Sequence, residues 1–184
     1  MIGRLTPARW RRGLAALGGD QRGVALIEFA MVIPFLLALF VGGYQISDAV
    51  AAYRKVTSAS RTVADLTAQY TQVSNSDLDT ILNASQQVMS PYPVANAQLT
   101  VSQIKVDAAR NATVDWSRGK NATALIKDSA YVLPDEIRQA NTSLIVARIM
   151  YTYRPTVFGT LLGTIPLTET IIMSPRASST INKV

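Results

Sequence analysis

The longest apolar stretch of the chain runs from Val24 to Ile46 and reads VALIEFAMVIPFLLALFVGGYQI. Its only acidic residue is Glu28, and it contains no lysine or arginine. A helix that crosses the hydrocarbon core of a bilayer needs about 20 mostly apolar residues. The stretch therefore predicts one transmembrane helix, with Tyr44 at its outer interface because an aromatic ring with a polar tip is stable there.

Apolar residues continue beyond this stretch at spacings of three and four, which predicts a helix with one apolar face. That face comprises Ile46, Val50, Tyr53, Val56, Ser60, Val63, Leu66, Tyr70 and Val73. We therefore expect one continuous helix from residue 24 to about residue 72. Its second half, residues 47–73, is predicted to be an amphipathic stalk.

The membrane stretch contains three residues that weaken a helix. Pro34 lies in mid-span, where a functional bend and the ordinary frequency of proline in membrane helices account for it equally well. Gly42 and Gly43 loosen the far end. Two helices with a bend near these glycines are therefore an alternative to one continuous helix.

A second helix is predicted after Ser74-Asn75-Ser76, which interrupts the periodicity. Ser76 and Asp79 have the spacing of an N-terminal capping pair. Pro91 ends the segment because proline cannot continue a helix. The apolar positions of this helix are Leu78, Ile81, Leu82, Val88 and Met89.

From residue 97 the pattern changes to alternation with period two and to segments rich in β-branched and aromatic residues, which predicts strands. The predicted strands are residues 98–106, 112–116, 143–153 and 167–173. Residues 117–121 are predicted to be a loop, and Pro134 with its neighbouring acids is predicted to begin a short helix. The serine-rich tail after Pro175 is predicted to fray.

These elements together predict an α+β fold. A long N-terminal helix, first transmembrane and then an amphipathic stalk, carries a head with a small, mostly antiparallel β-sheet. The predicted domains are a basic cytoplasmic leader, a transmembrane helix, a helical stalk and a periplasmic α+β head. Their limits are residues 1–23, 24–46, 47–73 and 74–184.

The net charge of +6 is concentrated at the N-terminus. Arginines 4, 9, 11, 12 and 22 are opposed there only by Asp20, and the rest of the chain has 13 basic and 11 acidic residues. The positive-inside bias therefore places the tail in the cytoplasm and everything after Asp48 on the other side, the periplasm of a bacterium. No basic patch interleaved with aromatic residues exists in the body, so no nucleic-acid partner is predicted.

The composition excludes most catalytic chemistry. The chain has no cysteine and no histidine, which removes thiolate and histidine-dependent catalysis and the commonest metal ligands. Asp77 and Asp79 lack the companions of a calcium loop and are interpreted as acids at a helix start. Gly159 and Gly163 frame an apolar GTLLGT stretch, predicted to be a loop packed on the head rather than a phosphate-binding loop. We predict no enzyme activity, no metal and no cofactor.

Glu28 is the informative exception in the apolar helix, because a carboxylate there has an energetic cost and usually has a function. It lies in the sequence Arg22-Gly-Val-Ala-Leu-Ile-Glu-Phe29, which resembles a type IV prepilin processing site. The resemblance implies cleavage between Gly23 and Val24, which makes Glu28 the fifth residue of the mature chain. A carboxylate one helical turn away neutralises the new α-amino cation, in the same or a neighbouring subunit, and this attraction is strong at low dielectric constant.

The longer sequence RGVALIEFAMVIPFLLALFVGGYQISDAVAAYRKV resembles the TadE-like (TadE/TadG) family of pilus-assembly proteins of the tight-adherence, Flp-type pilus system. Tyr151-Thr-Tyr153-Arg-Pro155 adds a weaker C-terminal resemblance. The family implies a minor pilin or pseudopilin that supports adhesion and biofilm formation. It also implies a prepilin peptidase and other pilins or Tad assembly proteins as partners, and assembly roles for Glu28 and Phe29.

Two processing alternatives and one functional alternative stay open. Ala49-Val50-Ala51 resembles a signal-peptide cleavage site, although the apolar stretch is longer than the 7–15 residues usual for a signal peptide. An uncleaved anchor is the other processing alternative. The functional alternative is a membrane-anchored periplasmic envelope or binding protein that is never polymerised.

Overall fold

The structure is a computed structural model that describes residues 23–157, 159 and 163–184. In chain order its elements are α1 (Val24–Ala68), β1 (Gln72–Val73), α2 (Asn75–Val88), a 3₁₀ turn (Val94–Asn96), β2 (Ala97–Val106), β3 (Ala112–Lys120), β4 (Thr142–Tyr153), β5 (Ile165–Met173) and β6 (Asn182–Lys183). A long N-terminal helix with a four-stranded antiparallel sheet confirms the predicted α+β class. The leader, residues 1–22, lies outside the described residues.

Helix α1 is continuous through Pro34, Gly42 and Gly43, so the alternative of two separate helices is wrong. The helix belongs to two compact units, one that ends at Tyr44 and one from Gln45 to Val184. The predicted limits of the leader, transmembrane helix, stalk and head stay a prediction.

The main sheet has the strand order β3-β2-β4-β5 with every neighbouring pair antiparallel. Gln103 pairs with Trp116 and Ile104 pairs with Val114, so Asp115 is an extra residue in β3, a β-bulge. The bulge moves the side-chain alternation of β3 to the other face. For this reason Trp116 packs in the cluster on one face of the sheet, whereas Val114 packs in the cluster on the opposite face.

The larger cluster joins one face of the sheet to α2 and to the part of α1 from Ala52 onward. In α1 it uses a face of small and β-branched residues: Ala52, Val56, Ala59, Val63 and Ala64. Of the predicted stripe, Val56, Ser60 and Val63 are buried and Leu66 is half-buried. Tyr70 is 38% exposed, and Tyr70 and Val73 lie beyond the end of the helix at Ala68. Ile46, Val50 and Tyr53 are 69%, 47% and 43% exposed. The helix instead faces the sheet with alanines, because their small side chains let its backbone approach the sheet more closely than bulky residues do.

Helix α2 begins two residues earlier than predicted. The capping box is formed by Ser74, whose Oγ accepts from the Asp77 backbone N–H at 3.2 Å, and by Asp77, whose carboxylate accepts from the Ser74 N–H at 2.9 Å. The Ser74 hydroxyl also donates to the Asp77 carboxylate at 2.6 Å, and this hydrogen bond, with the one from the Ser74 backbone N–H, holds the pKa of Asp77 below its ordinary value. Ser76 lies inside the helix, because the buried Val73 ends β1 and the chain must turn directly after it.

Asp79 is not a helix-start acid in the structure. It accepts two hydrogen bonds from Arg118 of β3, with its carboxylate oxygens 2.8 Å from Nε and 2.7 Å from Nη2. The first cause of the lowered pKa of Asp79 is this hydrogen bonding. A bidentate pair fixes orientation better than a single contact, so it orients α2 on the sheet.

The predicted strands are confirmed, but two neighbouring predictions are wrong. Residues 117–120 continue β3 rather than form a loop, because they pair with β2 up to Lys120 opposite Leu99. Gly119 permits this, since a Cβ there would collide with the carbonyl oxygen of Ala122. Pro134 begins a single turn, which is closed by a hydrogen bond from the Ile137 N–H to the Pro134 carbonyl at 3.3 Å. Residues 134–141 contain no helix, because the chain turns again at Asn141, whose φ is +58°.

The C-terminal tail does not fray. Ile181 is fully buried, its N–H donates to Gln103 Oε1 at 2.8 Å, and its carbonyl accepts from the Trp116 indole at 2.9 Å. Gln103 also donates to Thr180 Oγ1 at 2.9 Å. Strand β6 then pairs in parallel with β1, so the tail is an integral part of the core.

Candidate processing and assembly site

The four residues of the predicted site lie at the start of α1. Gly23 immediately precedes the helix, Val24 is its first residue, and Glu28 and Phe29 follow one turn later. All four are exposed. Residues four apart lie on the same side of a helix, about 6 Å apart along its axis. The structure therefore brings Val24 and Glu28 to one face and turns Phe29 to another.

The charges at this helix end bear on the predicted role of Glu28. The first turn of α1 contains no acidic residue, and a helix N-terminus already carries partial positive charge. A new ammonium group on Val24 is therefore unfavourable unless a carboxylate lies near it. Within the described part of the chain, Glu28 forms no ion pair, so its carboxylate is free to accept such a cation.

Gly23 has no role in the described fold. A Cβ placed on Gly23 would meet nothing within 4 Å, and the residue is exposed. The fold therefore does not require glycine at this position.

Apart from Glu28, the first half of α1 presents an apolar surface. The most apolar part of the helix has a mean hydropathy of 2.6, and none of it is buried within the described protein. Its large exposed side chains are Val24, Leu26, Ile27, Phe29, Met31, Val32, Phe35, Leu36, Leu37, Leu39 and Phe40. Among the described residues this is the single helix with the length and composition to cross a membrane.

A polar cluster that sequence reasoning missed joins α1 to the head domain. Asp48 accepts a hydrogen bond from Tyr92 Oη at 2.9 Å and one from Tyr153 Oη at 2.5 Å. Gln45, one turn earlier, accepts from Tyr153 at 3.4 Å and donates to Thr156 at 3.4 Å. The only signal in the sequence was the first acidic residue after the apolar stretch, which the positive-inside argument used for topology alone.

Replacement of Asp48 by alanine is expected to lower the free energy of unfolding of the head by about 2 kcal/mol, because two hydrogen bonds to a charged acceptor are lost. The measurement is urea unfolding of the full chain in detergent micelles. The matched control is Ser47→Ala, at the exposed neighbouring position. Equal unfolding midpoints for the two variants would show that the tyrosine contacts do not stabilise the head.

A second polar contact joins α1 to the sheet. Tyr53 of α1 donates to Glu169 of β5 at 2.7 Å, and this hydrogen bond is the first cause of the raised pKa of Tyr53. Asp48 and Tyr53 therefore attach α1 to β4 and β5 respectively.

An apolar helix of spanning length, followed in the same chain by an α+β domain, is compatible with a protein that has a single-pass membrane anchor. The family model described as TadE-like protein matches residues 23–65, which confirms the resemblance over these residues. The match begins at Gly23 and includes Val24, Glu28 and Phe29. No match was found among curated proteins or solved structures.

Proposed function

We propose that the chain is a minor pilin or pseudopilin of a tight-adherence, type IV-like pilus or its secretion apparatus, and supports adhesion and biofilm formation. The observation that carries the proposal is the TadE-like match, which starts at Gly23, together with the position of Glu28 one turn into α1. TadE-like proteins are structural components rather than enzymes, and the proposal assigns no catalytic step to this chain.

The proposed location is the bacterial inner membrane. Residues 24–46 span the bilayer, the arginine-rich leader stays in the cytoplasm, and the head lies in the periplasm. In this arrangement the bond between Gly23 and Val24 lies at the cytoplasmic face, where a prepilin peptidase can reach it. The exposed surface of the first half of α1 is covered by lipid before assembly and by other pilins or Tad proteins afterwards.

The mature chain is expected to begin at Val24, and Gly23→Leu is expected to abolish this processing. The substitution meets no neighbour in the fold, so a loss of cleavage reports on the peptidase rather than on misfolding. The measurement is the intact mass of the chain purified from membranes. The matched control is Gly19→Leu, the same substitution upstream in the leader, which is expected to be processed normally.

The N-terminus of the purified chain also separates the alternatives. A first residue of Ala52 supports secretion by a signal peptide, and Met1 supports a plain anchor. Either result contradicts processing between Gly23 and Val24, as does a Gly23→Leu chain that still begins at Val24.

A further inference from the structure

The face of the main sheet opposite α1 and α2, here called the outer face, has an arginine near its centre. Arg148 of β4 pairs with Thr100 of β2 and with Thr170 of β5, so an uncharged side chain flanks it on each neighbouring strand. The next residues of β4 on this face are Val146 and Met150. Arg148 is exposed, and it forms no ion pair with any residue that the structure describes.

A groove of about 200 Å³ lies over this part of the outer face. Strands β2 and β4 form its floor, and residues 122–131, which follow β3, form one wall. The wall is held to β3 by backbone hydrogen bonds. The Leu125 N–H donates to Ser117 Oγ at 3.0 Å, and the Tyr131 N–H donates to the Ala112 carbonyl at 2.9 Å. The groove is therefore a fixed feature of the head.

The side chains that line this groove resemble those of a protein interface. Arginine, tyrosine and methionine are enriched in interfaces, and Arg148, Tyr131 and Met150 all line the groove. Lysine, aspartate and glutamate are depleted in interfaces, and none of these types lines the groove among the described residues. Met150 and Leu125 are each 39% exposed. Burial raises the pKa of Tyr131 and the charge of Arg148 opposes this shift, so the two side chains lie near each other.

Charge and size together select an occupant for the groove. The guanidinium of Arg148 has no carboxylate partner within the described chain, and its planar fork matches a carboxylate in bidentate fashion. Pockets for drug-sized ligands measure about 300–1,000 Å³, whereas this groove has about 200 Å³, which is room for a side chain and its neighbours. The occupant that fits is an acidic side chain of another protein, flanked by apolar residues.

We propose that the Arg148 groove binds such an acidic side chain of a partner protein in the pilus system. The inference rests on the proposed function and deepens it, since a minor pilin or pseudopilin must contact its partners through surfaces of its head. The carboxylate of the partner pairs with Arg148, and the apolar neighbours of that carboxylate pack on Met150 and Leu125. A second copy of the chain and a free carboxylic acid are the other occupants that the experiment separates.

The test is photo-cross-linking in a strain whose only copy of the chain carries benzoylphenylalanine in place of Gln98, an exposed residue of the groove. A cross-link to another protein is expected, and mass spectrometry is expected to find aspartate or glutamate beside apolar residues in the cross-linked peptide. Adding Arg148→Gln is expected to decrease the yield at least about tenfold, because one partner of a charge pair is lost. Arg148→Lys keeps the charge without the fork, and a smaller decrease is expected.

The matched control is Arg110→Gln, which removes the same charge from an exposed position in the turn between β2 and β3. Its cross-linking yield is expected to be unchanged. Charge reversal is the sharpest comparison. Arg148→Glu is expected to abolish the cross-link, and lysine in place of the acidic residue of the partner is expected to restore it. An unchanged urea midpoint of each variant in micelles verifies that the head stays folded.

Three results would overturn the proposal. The first is an equal yield with Arg148→Gln and Arg110→Gln, or no rescue by the reversed pair. The second is a cross-linked peptide from this chain itself, which would assign the groove to a second copy. The third is the absence of any cross-link to another protein, and a shift of the Arg148 Nε–H signal by sodium benzoate in micelles would then assign the groove to a free acid.

The failure of this proposal can be told apart from the failure of the proposed function. If the groove variants fail as above in a strain that loses its pili with Glu28→Ala, the groove is wrong and the proposed function stands. If pili persist with Glu28→Ala, the proposed function is wrong, and the assignment of the partner to the pilus system falls with it.

Discussion

A strain whose only copy of the chain carries Glu28→Ala is expected to lose its surface pili and its attachment, while the chain still accumulates in the inner membrane. In the proposed function, the carboxylate is the group that neutralises the Val24 ammonium when helices pack side by side. Two unit charges about 4 Å apart attract by about 4 kcal/mol at an effective dielectric constant of 20. Even about 1.4 kcal/mol of that attraction changes an equilibrium tenfold, so we expect at least a tenfold decrease in piliated cells.

The charge, rather than the shape, is what this experiment must isolate. Glu28→Gln keeps the size and removes the charge, and is expected to behave like Glu28→Ala. Leu26→Ala is the matched control, because Leu26 lies in the same turn of the helix and is also exposed, at 74%. Immunoblots of membrane fractions measure insertion, and electron microscopy with antibody labelling measures pili and the presence of the chain in them.

Persistent piliation in the Glu28→Ala strain would contradict the role of Glu28 in assembly. It would favour the alternative of an envelope or binding protein that is anchored in the membrane and never polymerised. Normal piliation with Glu28→Gln but not with Glu28→Ala would instead assign a hydrogen-bonding role to the side chain. Normal pili in the Leu26→Ala control exclude a general effect of shortening a side chain in this segment.

Much of the fold could be predicted because periodicity reports burial directly. The apolar stretch of residues 24–46 gave the start of α1, and the β-branched run of residues 143–153 gave β4 almost to its ends. Periodicity failed where small residues form the buried face. Ala52, Ala59 and Ala64 look neutral in sequence, whereas Ile46 and Val50 look like core residues, and only the distance between helix and sheet decides between them.

Local motifs could be found but not positioned. Ser74 with Asp77 and Ser76 with Asp79 have the same spacing, so the capping pattern alone cannot choose between them. The choice depends on Val73, which is buried because β1 pairs with the distant β6. Gln103 is a similar case, since a buried amide has no sequence signature and its partners lie at the far end of the chain.

The residues of the proposed processing and assembly site could be placed together from the sequence because they lie close to one another in it, at the start of one helix, and their roles stay a prediction. Gly23, Val24 and Glu28 need no tertiary contact to come together. The cluster around Asp48 could not be predicted, because its partners Tyr92 and Tyr153 are brought to it only by the fold. The prediction that the C-terminal tail frays was wrong for the same reason, because the tail is held by Gln103 and Trp116, which are distant in sequence.

Ile181→Ala is expected to lower the free energy of unfolding of the head by about 3 kcal/mol, because truncation of a fully buried isoleucine loses burial and leaves a cavity. The side chain lies in the main core cluster, and its backbone is held by Gln103 and Trp116. The measurement is urea unfolding of the full chain in micelles, followed by the fluorescence of Trp116. The chain has two tryptophans, so Trp10→Phe in every variant leaves Trp116 as the reporter.

The matched control for this prediction is Ile126→Ala. Ile126 is 78% exposed, so the same truncation there is expected to change the free energy of unfolding by less than about 0.5 kcal/mol. Gln103→Leu tests the polar half of the same contact, because it leaves the Ile181 N–H without its acceptor in a buried site, which costs about 1–3 kcal/mol. Coincident unfolding curves for Ile181→Ala and Ile126→Ala would mean that the tail is not part of the core. A loss of stability in Ile181→Ala and Gln103→Leu, with a red shift of Trp116 emission at low urea, would instead show that the last residues of the chain close the head.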